Sequence, residues 1–186
     1  MARLGHVMVR YADDLVILCP SQEQAQTALA ELHQWSQDAG LTLHPDKTCC
    51  VDMNVAGSGF DFLGYHFART RKGKLDRWPR AKSLRKLKAS IRAVTQRRNG
   101  HSLAQIIQQT NRITQGWFEY FKHSNRWTFP PLDGSIRQRL RSILRRRRHR
   151  KGRANGLDYQ RWPNAYFADR GLFSLVQARA SALQPT

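Results

Sequence analysis

The 186-residue sequence predicts an α+β segment followed by an all-α one. Three observations carry this. Up to about residue 68, apolar residues come in short runs between turn formers, the pattern of strands around one helix. From about residue 80 they recur every three or four residues, with basic residues on the other faces, as in amphipathic helices. The charge also changes sign. Residues 1–68 carry 3 Lys/Arg against 8 Asp/Glu, residues 69–153 carry 26 against 3, and residues 154–186 carry 3 against 2. The expected organisation is an α+β part over residues 1–68, a linker over 69–79 and a helical part over 80–186.

The elements follow in order. Val7, Val9 and Tyr11 alternate with Met8 and Arg10, and Leu15-Val16-Ile17-Leu18 is a β-rich apolar run. Asp is poor in strands and good in turns, so Asp13 and Asp14 fall at the tip of a β-hairpin. Ser21 with Gln24 reads as the start of a helix, with Ala25, Ala28, Leu29, Leu32, Trp35 and Ala39 as its apolar stripe. Gly40 stops it. Leu41-Thr42-Leu43 reads as extended, Pro45-Asp46-Lys47-Thr48 as a turn, residues 49–53 as a strand, and Gly57-Ser58-Gly59 as a second turn. Residues 60–67 read as a strand with Gly64 inside it, where glycine marks a bulge or a close backbone approach.

In the basic part, Leu84, Leu87, Ile91 and Val94 share one face of a helix that Asn99-Gly100 ends. Ser102 with Gln105 forms a capping box for a second helix carrying Leu103, Ile106, Ile107, Ile113, Trp117, Tyr120 and Phe121. Pro130-Pro131 punctuates, and a third basic helix turns Ile136, Leu140, Ile143 and Leu144 inward. Two short pieces follow, around Trp162 and around Leu172, split by Gly171. The aromatic clusters Trp117, Tyr120, Phe121 and Trp162, Tyr166, Phe167 read as core.

The formal net charge is +19 and the pI about 11.1. That excludes a neutral metabolic enzyme as the default and points to a polyanion, nucleic acid first. Eight Phe, five Tyr and five Trp argue against a disordered chain. No apolar run approaches the roughly 18–20 residues of a membrane span, so no membrane partner is expected. The three cysteines form no even framework and no Cys-x-x-Cys pair, and no signal-peptide pattern opens the chain; a reducing, cytoplasmic location is expected. The seven histidines show no i, i+4 pair and suggest no zinc.

Asp13-Asp14 admits two readings. One is a polar turn. The other is a metal pair, because adjacent carboxylates repel and a divalent cation removes the conflict. Hard Mg²⁺ prefers carboxylate oxygen, and phosphoryl or nucleotidyl transfer uses such ions. The basic residues Arg85, Lys86, Lys88, Arg92, Arg97 and Arg98, and the run Arg145, Arg146, Arg147, Arg148, Arg150 and Lys151, read as an RNA-binding surface rather than only solvated helix faces, because they share one strongly basic segment.

Tyr11-Ala12-Asp13-Asp14 between its two apolar strands resembles the catalytic hairpin of reverse transcriptases. Gly40-Leu41-Thr42-Leu43-His44-Pro45-Asp46-Lys47-Thr48 looks like the block that follows it, and Phe60-Asp61-Phe62-Leu63-Gly64-Tyr65-His66-Phe67 like the primer-grip block after that. Gly116-Trp117-Phe118-Glu119-Tyr120-Phe121 and Arg161-Trp162-Pro163-Asn164-Ala165-Tyr166-Phe167-Ala168 are similar to the thumb and maturase region (domain X) of bacterial group II intron-encoded proteins. The resemblance implies a partial reverse-transcriptase palm followed by a helical thumb/maturase domain. It implies that Asp13 and Asp14 are the paired catalytic, Mg²⁺-binding aspartates. Tyr11, Ala12, Lys47, Leu63, Gly64 and Tyr65 would then lie near primer or nucleotide.

The resemblance also implies parts expected to be missing: a further metal-binding aspartate and the fingers ahead of the hairpin, and an endonuclease domain behind the thumb. The chain is therefore expected to be the C-terminal portion of a longer protein. Two functions remain open. One is RNA-directed DNA polymerisation. The other, favoured for this chain alone, is binding of structured group II intron RNA that supports splicing and retrohoming in the intact protein, with a DNA target as a further partner. A generic basic nucleic-acid-binding protein or a non-functional remnant is the alternative. The palm strands are expected to leave an unpaired edge and to self-associate through it.

Overall fold

In a computed structural model the described residues are 7–98 and 100–182. The chain forms two compact units, Met1–Asp76 and Arg77–Thr186. Small antiparallel sheets occupy the first and helices the second, as the α+β/all-α expectation had it. Among the described residues no helix is long and apolar enough to cross a membrane.

The first unit opens with the expected hairpin, β1 (Val7–Tyr11) against β2 (Asp14–Leu18). The pairs run from Val7↔Leu18 to Tyr11↔Asp14, so the turn is Ala12-Asp13. Helix α1 (Gln22–Asp38) begins where the Gln24 N–H donates to the Ser21 hydroxyl at 3.3 Å. It ends in a Schellman motif. The Leu41 N–H reaches the Ser36 carbonyl at 2.7 Å and the Gly40 N–H the Gln37 carbonyl at 3.0 Å. That geometry puts Gly40 at φ +66°, where only glycine sits without strain. The buried stripe is Ala28, Leu32 and Ser36, at four-residue spacing, and Trp35, expected in the stripe, is exposed.

Residues 49–53, expected as a strand, are not one. The Asp52 carboxylate accepts from the Asn54 N–H at 2.8 Å, closing an Asx turn that bends the backbone out of extension. Residues 60–67 form not one strand but a hairpin, β3 (Gly59–Phe62) and β4 (Tyr65–Arg69), with Phe60↔Phe67, Asp61↔His66 and Phe62↔Tyr65 opposite each other. Its two-residue turn has Leu63 at φ +47° and Gly64 at φ +79°, the double positive φ that fits the twist of paired strands. Gly59 is required here, because a Cβ would lie 2.5 Å from the Phe67 carbonyl oxygen. Phe60 and Phe67 stack at 5.2 Å, and His66 Nδ1 meets Asp61 Oδ1 at 2.8 Å. A third strand, β5 (Leu75–Pro79), completes the order β3-β4-β5 inside the segment expected as a linker. β5 is an edge strand, where the missing N–H of its Pro79 is tolerated.

The second unit is built from α2 (Ala81–Val94), α3 (Leu103–Phe121), a 3₁₀ turn (Arg126–Thr128), α4 (Phe129–Arg147) and the short α5 (Gly156–Arg161), α6 (Asn164–Ala168) and α7 (Leu175–Ala182). The Ser102–Gln105 capping box is complete, with Gln105 N–H to Ser102 Oγ at 3.2 Å and Ser102 N–H to Gln105 Oε1 at 2.9 Å. Helix α4 starts at Phe129, so Pro130 and Pro131 lie in its first turn, where no intrahelical N–H is lost. Helix α2 ends at Thr95 rather than at Asn99-Gly100, and Asn99 lies outside the described residues.

One core ties these helices together: Leu87 and Ile91 from α2, Ile106, Ile107 and Phe118 from α3, Phe129, Leu132, Ile136, Leu140 and Ile143 from α4, then Trp162, Phe167 and Leu175. Each such side chain contributes roughly 1.5–3 kcal/mol on burial. Tyr120, expected in this core, is 54% exposed. One carboxylate anchors the start of helix α7, whose Leu175 is buried in the core. Asp133 of α4, buried, accepts from Ser174 Oγ at 2.8 Å, Leu175 N–H at 3.1 Å and Val176 N–H at 3.3 Å. An anion thus sits on the orphan N–H groups of the helix N-terminus.

Candidate nucleic-acid interface

At the tip of the β1–β2 hairpin, Ala12 has φ +51° and Asp13 and Asp14 are exposed. Arg10 Nε donates to the Ala12 carbonyl at 2.9 Å and pins the turn from beneath. Neither aspartate side chain has a hydrogen bond or ion pair among the described residues. Tyr11, beside them, is 66% exposed. The donor chemistry suits Mg²⁺: two hard carboxylate groups at the hairpin tip with no basic side chain paired to them among the described residues. The described residues assemble no group of three or more His, Cys, Asp or Glu about a metal position, so this chain's described share of such a site is the pair.

The other hairpin turn, Leu63-Gly64, belongs to a different sheet, and no ladder joins it to the Asp13-Asp14 tip. Tyr65 is half-buried, its ring 6.2 Å from that of Phe67. Lys47 is exposed in the turn after α1, where its N–H bonds the His44 carbonyl at 3.1 Å.

In the helical unit the basic side chains divide into two kinds. On α2 the apolar stripe holds Leu87 and Ile91 inward, which leaves Arg85, Lys86, Lys88 and Arg92 exposed. Arg97 and Arg98, past the helix end, are exposed too, as are Arg146, Arg148, Arg150 and Lys151 at the end of α4. The arginine run is not uniform, however. Arg145, grouped with the RNA-binding residues by sequence, turns inward. Its Nη1 lies 2.8 Å from Asp158 Oδ2 and its Nε donates to the Lys151 carbonyl at 2.9 Å. Asp158, 2% exposed, also accepts from the Asn155 N–H at 3.0 Å. Burial pushes the Asp158 carboxyl up, but the Asn155 N–H and the hydrogen bond and charge of Arg145, with Arg150 nearby, together hold it below the usual carboxylate range. Arg147, exposed, donates to the His101 carbonyl.

Two arginines that the sequence reading did not single out define the rest. Arg141 is 2% exposed and has no carboxylate partner among the described residues. Its Nε donates to the Trp162 carbonyl and its Nη2 to Asn164 Oδ1, both at 2.8 Å, and its guanidinium lies 4.3 Å from the centre of the Tyr159 ring. Burial lowers its pKa, Tyr159 opposes this and Arg137 adds to it. Arg139 spans from α4 to the end of α2. Its Nε donates to Thr95 Oγ1 at 2.6 Å, and its Nη2 to the Thr95 carbonyl at 3.2 Å and the Arg92 carbonyl at 3.4 Å. It caps the orphan carbonyls of α2 with a cation. Burial lowers its pKa, and the charges of Arg92 and Arg97 add to the effect. The available signal was position: Arg139 and Arg141 are interleaved with Ile136, Leu140 and Ile143, so they flank the buried face rather than oppose it.

This arrangement offers cations to an anionic polymer on the helical unit and two uncompensated carboxylates on the sheet unit. No curated protein matches the chain. Residues 1–67 match the family model of the reverse transcriptase (RNA-dependent DNA polymerase), and residues 84–162 that of the group II intron, maturase-specific domain. Reverse transcriptases are in general metal-dependent, and the two domains together imply intron RNA as a general partner. With one domain on each unit and the two in this order, the chain belongs to the group II intron reverse transcriptase/maturase family.

Proposed function

We propose that the helical unit binds structured group II intron RNA through its phosphate backbone, and in that way supports splicing and retrohoming. The observation that carries this is the fate of the charges. Residues 69–153 hold only 3 acidic residues, and Asp133 is consumed inside the fold, while Arg85, Lys86, Lys88, Arg92, Arg97, Arg98, Arg146, Arg148, Arg150 and Lys151 stay exposed. Helix-borne Lys and Arg cannot read base edges in the deep, narrow major groove of A-form RNA, so preference comes from shape and unpaired loops.

The test is the salt dependence of binding to a structured RNA. With six to eight phosphate contacts, log K falls with log[salt] at a slope of roughly 4–7. Replacing Arg146, Arg148 and Arg150 by Gln lowers the slope by about 2–3. Absence of binding at low salt, or a slope the triple variant leaves unchanged, overturns the proposal.

A second reading is favoured by the exposed tip. Asp13 and Asp14 would hold Mg²⁺, and Tyr11, Ala12, Lys47, Leu63, Gly64 and Tyr65 would serve primer or nucleotide, as the resemblance implies. When bound, the ion would supply charge neutralisation at the attacking and leaving oxygens of nucleotidyl transfer. The chain's own contribution is to hold one carboxylate on the two-residue turn and the other at the first residue of β2. The Arg10–Ala12 hydrogen bond keeps that turn from reorienting. A target DNA strand is the corresponding second nucleic-acid partner, and the cytoplasm the corresponding location.

A further inference from the structure

Between α2 and α4 lies an open cleft of about 340 Å³. Five cations line it, Lys88, Arg92, Arg97, Arg139 and Arg153, with Gln138 beside them and no carboxylate in the lining. They come from three places in the chain: α2 and its end, α4, and the loop after α4. Arg153 and Arg139 were not among the residues that the sequence marked for RNA.

We propose that this cleft is a phosphate-binding notch that takes at least two neighbouring phosphates of an RNA backbone. The proposal rests on the RNA-binding reading above and gives it a location. Three observations support it. The first is charge. Five cations line one cleft with no carboxylate among its described lining residues, and their repulsion is a standing cost that phosphodiester groups would remove. The second is preorganisation. Arg139 is not a swinging surface side chain: its Nε and Nη2 are fixed on Thr95 and on the carbonyls of α2. Thr95 is itself 1% exposed and donates to the Ile91 carbonyl. The Nη1 of Arg139 has no partner among the described residues. A guanidinium held in place loses little side-chain entropy on binding, and its Nη1 remains to donate to a phosphate oxygen. The third is the mutual influence of the cations. Besides burial, the charges of Arg92 and Arg97 lower the Arg139 pKa, and all three residues line the same cleft.

Lys88, Arg92 and Arg97 of the exposed α2 row also line the notch, whereas Arg146, Arg148, Arg150 and Lys151 at the end of α4 do not. With cations from α2, α4 and the loop after α4 in one cleft, the notch positions the RNA backbone against the α2–α4 junction.

The experiment compares the full chain with Arg97→Gln/Arg153→Gln, a pair that makes no hydrogen bond or ion pair among the described residues and so leaves the fold intact. A control pair, Arg112→Gln/Arg161→Gln, removes equal charge elsewhere on the unit. Two quantities are read: the rise in thermal midpoint on adding inorganic tripolyphosphate, and the salt slope for a structured RNA. The expected result is a rise in wild type and in the control pair that is lost in the cleft pair. The cleft pair should also lose roughly 1.4–1.8 units of slope, about a tenfold smaller affinity drop between 50 and 200 mM salt. If tripolyphosphate stabilises wild type and the cleft pair alike and the slopes agree, the notch is wrong while RNA binding stands. If the tripolyphosphate effect is lost but the RNA slope is unchanged, the site takes free polyphosphate and its assignment to RNA is wrong. If wild type binds no RNA at low salt, the reading beneath the proposal fails, and the RNA notch with it.

Discussion

Replacing Arg145 by alanine will destabilise the helical unit, whereas the same change at Arg146, its neighbour in a run of four arginines, will not. The difference follows from where the two side chains go. Arg145 is 15% exposed and bonds Asp158, whose side chain is 2% exposed, at 2.8 Å. Removing it leaves the carboxylate buried with one partner fewer and frees the Lys151 carbonyl. Breaking a buried ion pair costs about 3–5 kcal/mol, and the partial exposure of Arg145 places this one near 3 kcal/mol. For a unit the size of residues 77–186, each kcal/mol moves the thermal midpoint by about 4 °C, so Arg145→Ala should melt some 12 °C lower by far-UV circular dichroism. Arg146→Ala should stay within about 0.5 kcal/mol of wild type, as exposed substitutions do. In RNA binding the order reverses, Arg146→Ala lowering the salt slope by about one contact. Asp158 adds a pH signature. Its carboxyl is held below the ordinary 3.8, so its stabilisation is present above about pH 4 and is lost as the pH falls through the lower folded value. The stability gap between wild type and Asp158→Asn should therefore close in strong acid. A melt of Arg145→Ala within about 2 °C of wild type would refute the assignment.

Three further outcomes are expected. Leu63 holds φ +47° at a turn position that Asn occupies at less cost, so Leu63→Asn should raise the stability of the sheet unit by about 0.5–1 kcal/mol in denaturant titration; a loss of stability would contradict the strain argument. On β1, Val7, Val9 and Tyr11 are 62%, 51% and 66% exposed, an apolar row that should drive concentration-dependent self-association. Sedimentation should show Val9→Lys monomeric where wild type is not, and a wild type that stays monomeric at high concentration counts against the idea. Asp13→Asn/Asp14→Asn should leave RNA affinity within about twofold while abolishing Mg²⁺ binding in a calorimetric titration, because a change below ~0.5 kcal/mol is what remote, exposed groups give; lost RNA binding would undo the division of roles between the units.

The parts of the fold readable from sequence were those where a local interaction decides the backbone. Ser102 with Gln105, Ser21 with Gln24, and Gly40 each mark a helix terminus through hydrogen bonds spanning a few residues, and each is found there. What could not be read depends on partners far along the chain or on a backbone state the residue type does not favour. Leucine is a poor occupant of positive φ, so Leu63-Gly64 reads as a strand interior rather than as a turn. Leu75-Asp76-Arg77-Trp78-Pro79 carries charge and a proline, and pairs only because β4 offers it an edge. The same limit applies to the basic residues. The sequence shows that four arginines are adjacent; it does not show that Asp158, thirteen residues from Arg145, draws one of them inward. Arg139 and Arg141 sit one residue either side of Leu140, yet one caps α2 over a cleft and the other is buried against Tyr159.

The attachment of α7 through Asp133 has a consequence for the order in which the molecule assembles. Helices shorter than about 12–15 residues do not hold together alone in water, and α7 has eight residues. Its first N–H groups find their acceptor on α4, so they gain that partner only once α4 is formed and placed. Helix α7 is therefore expected to form late, after α4. Substitutions at Ser174 or Val176 should then speed unfolding and leave the refolding rate unchanged, whereas truncating Ile136 or Leu140 slows refolding. The C-terminal helix acts as a catch that closes on a finished core, setting how long the native state persists rather than how quickly it is reached.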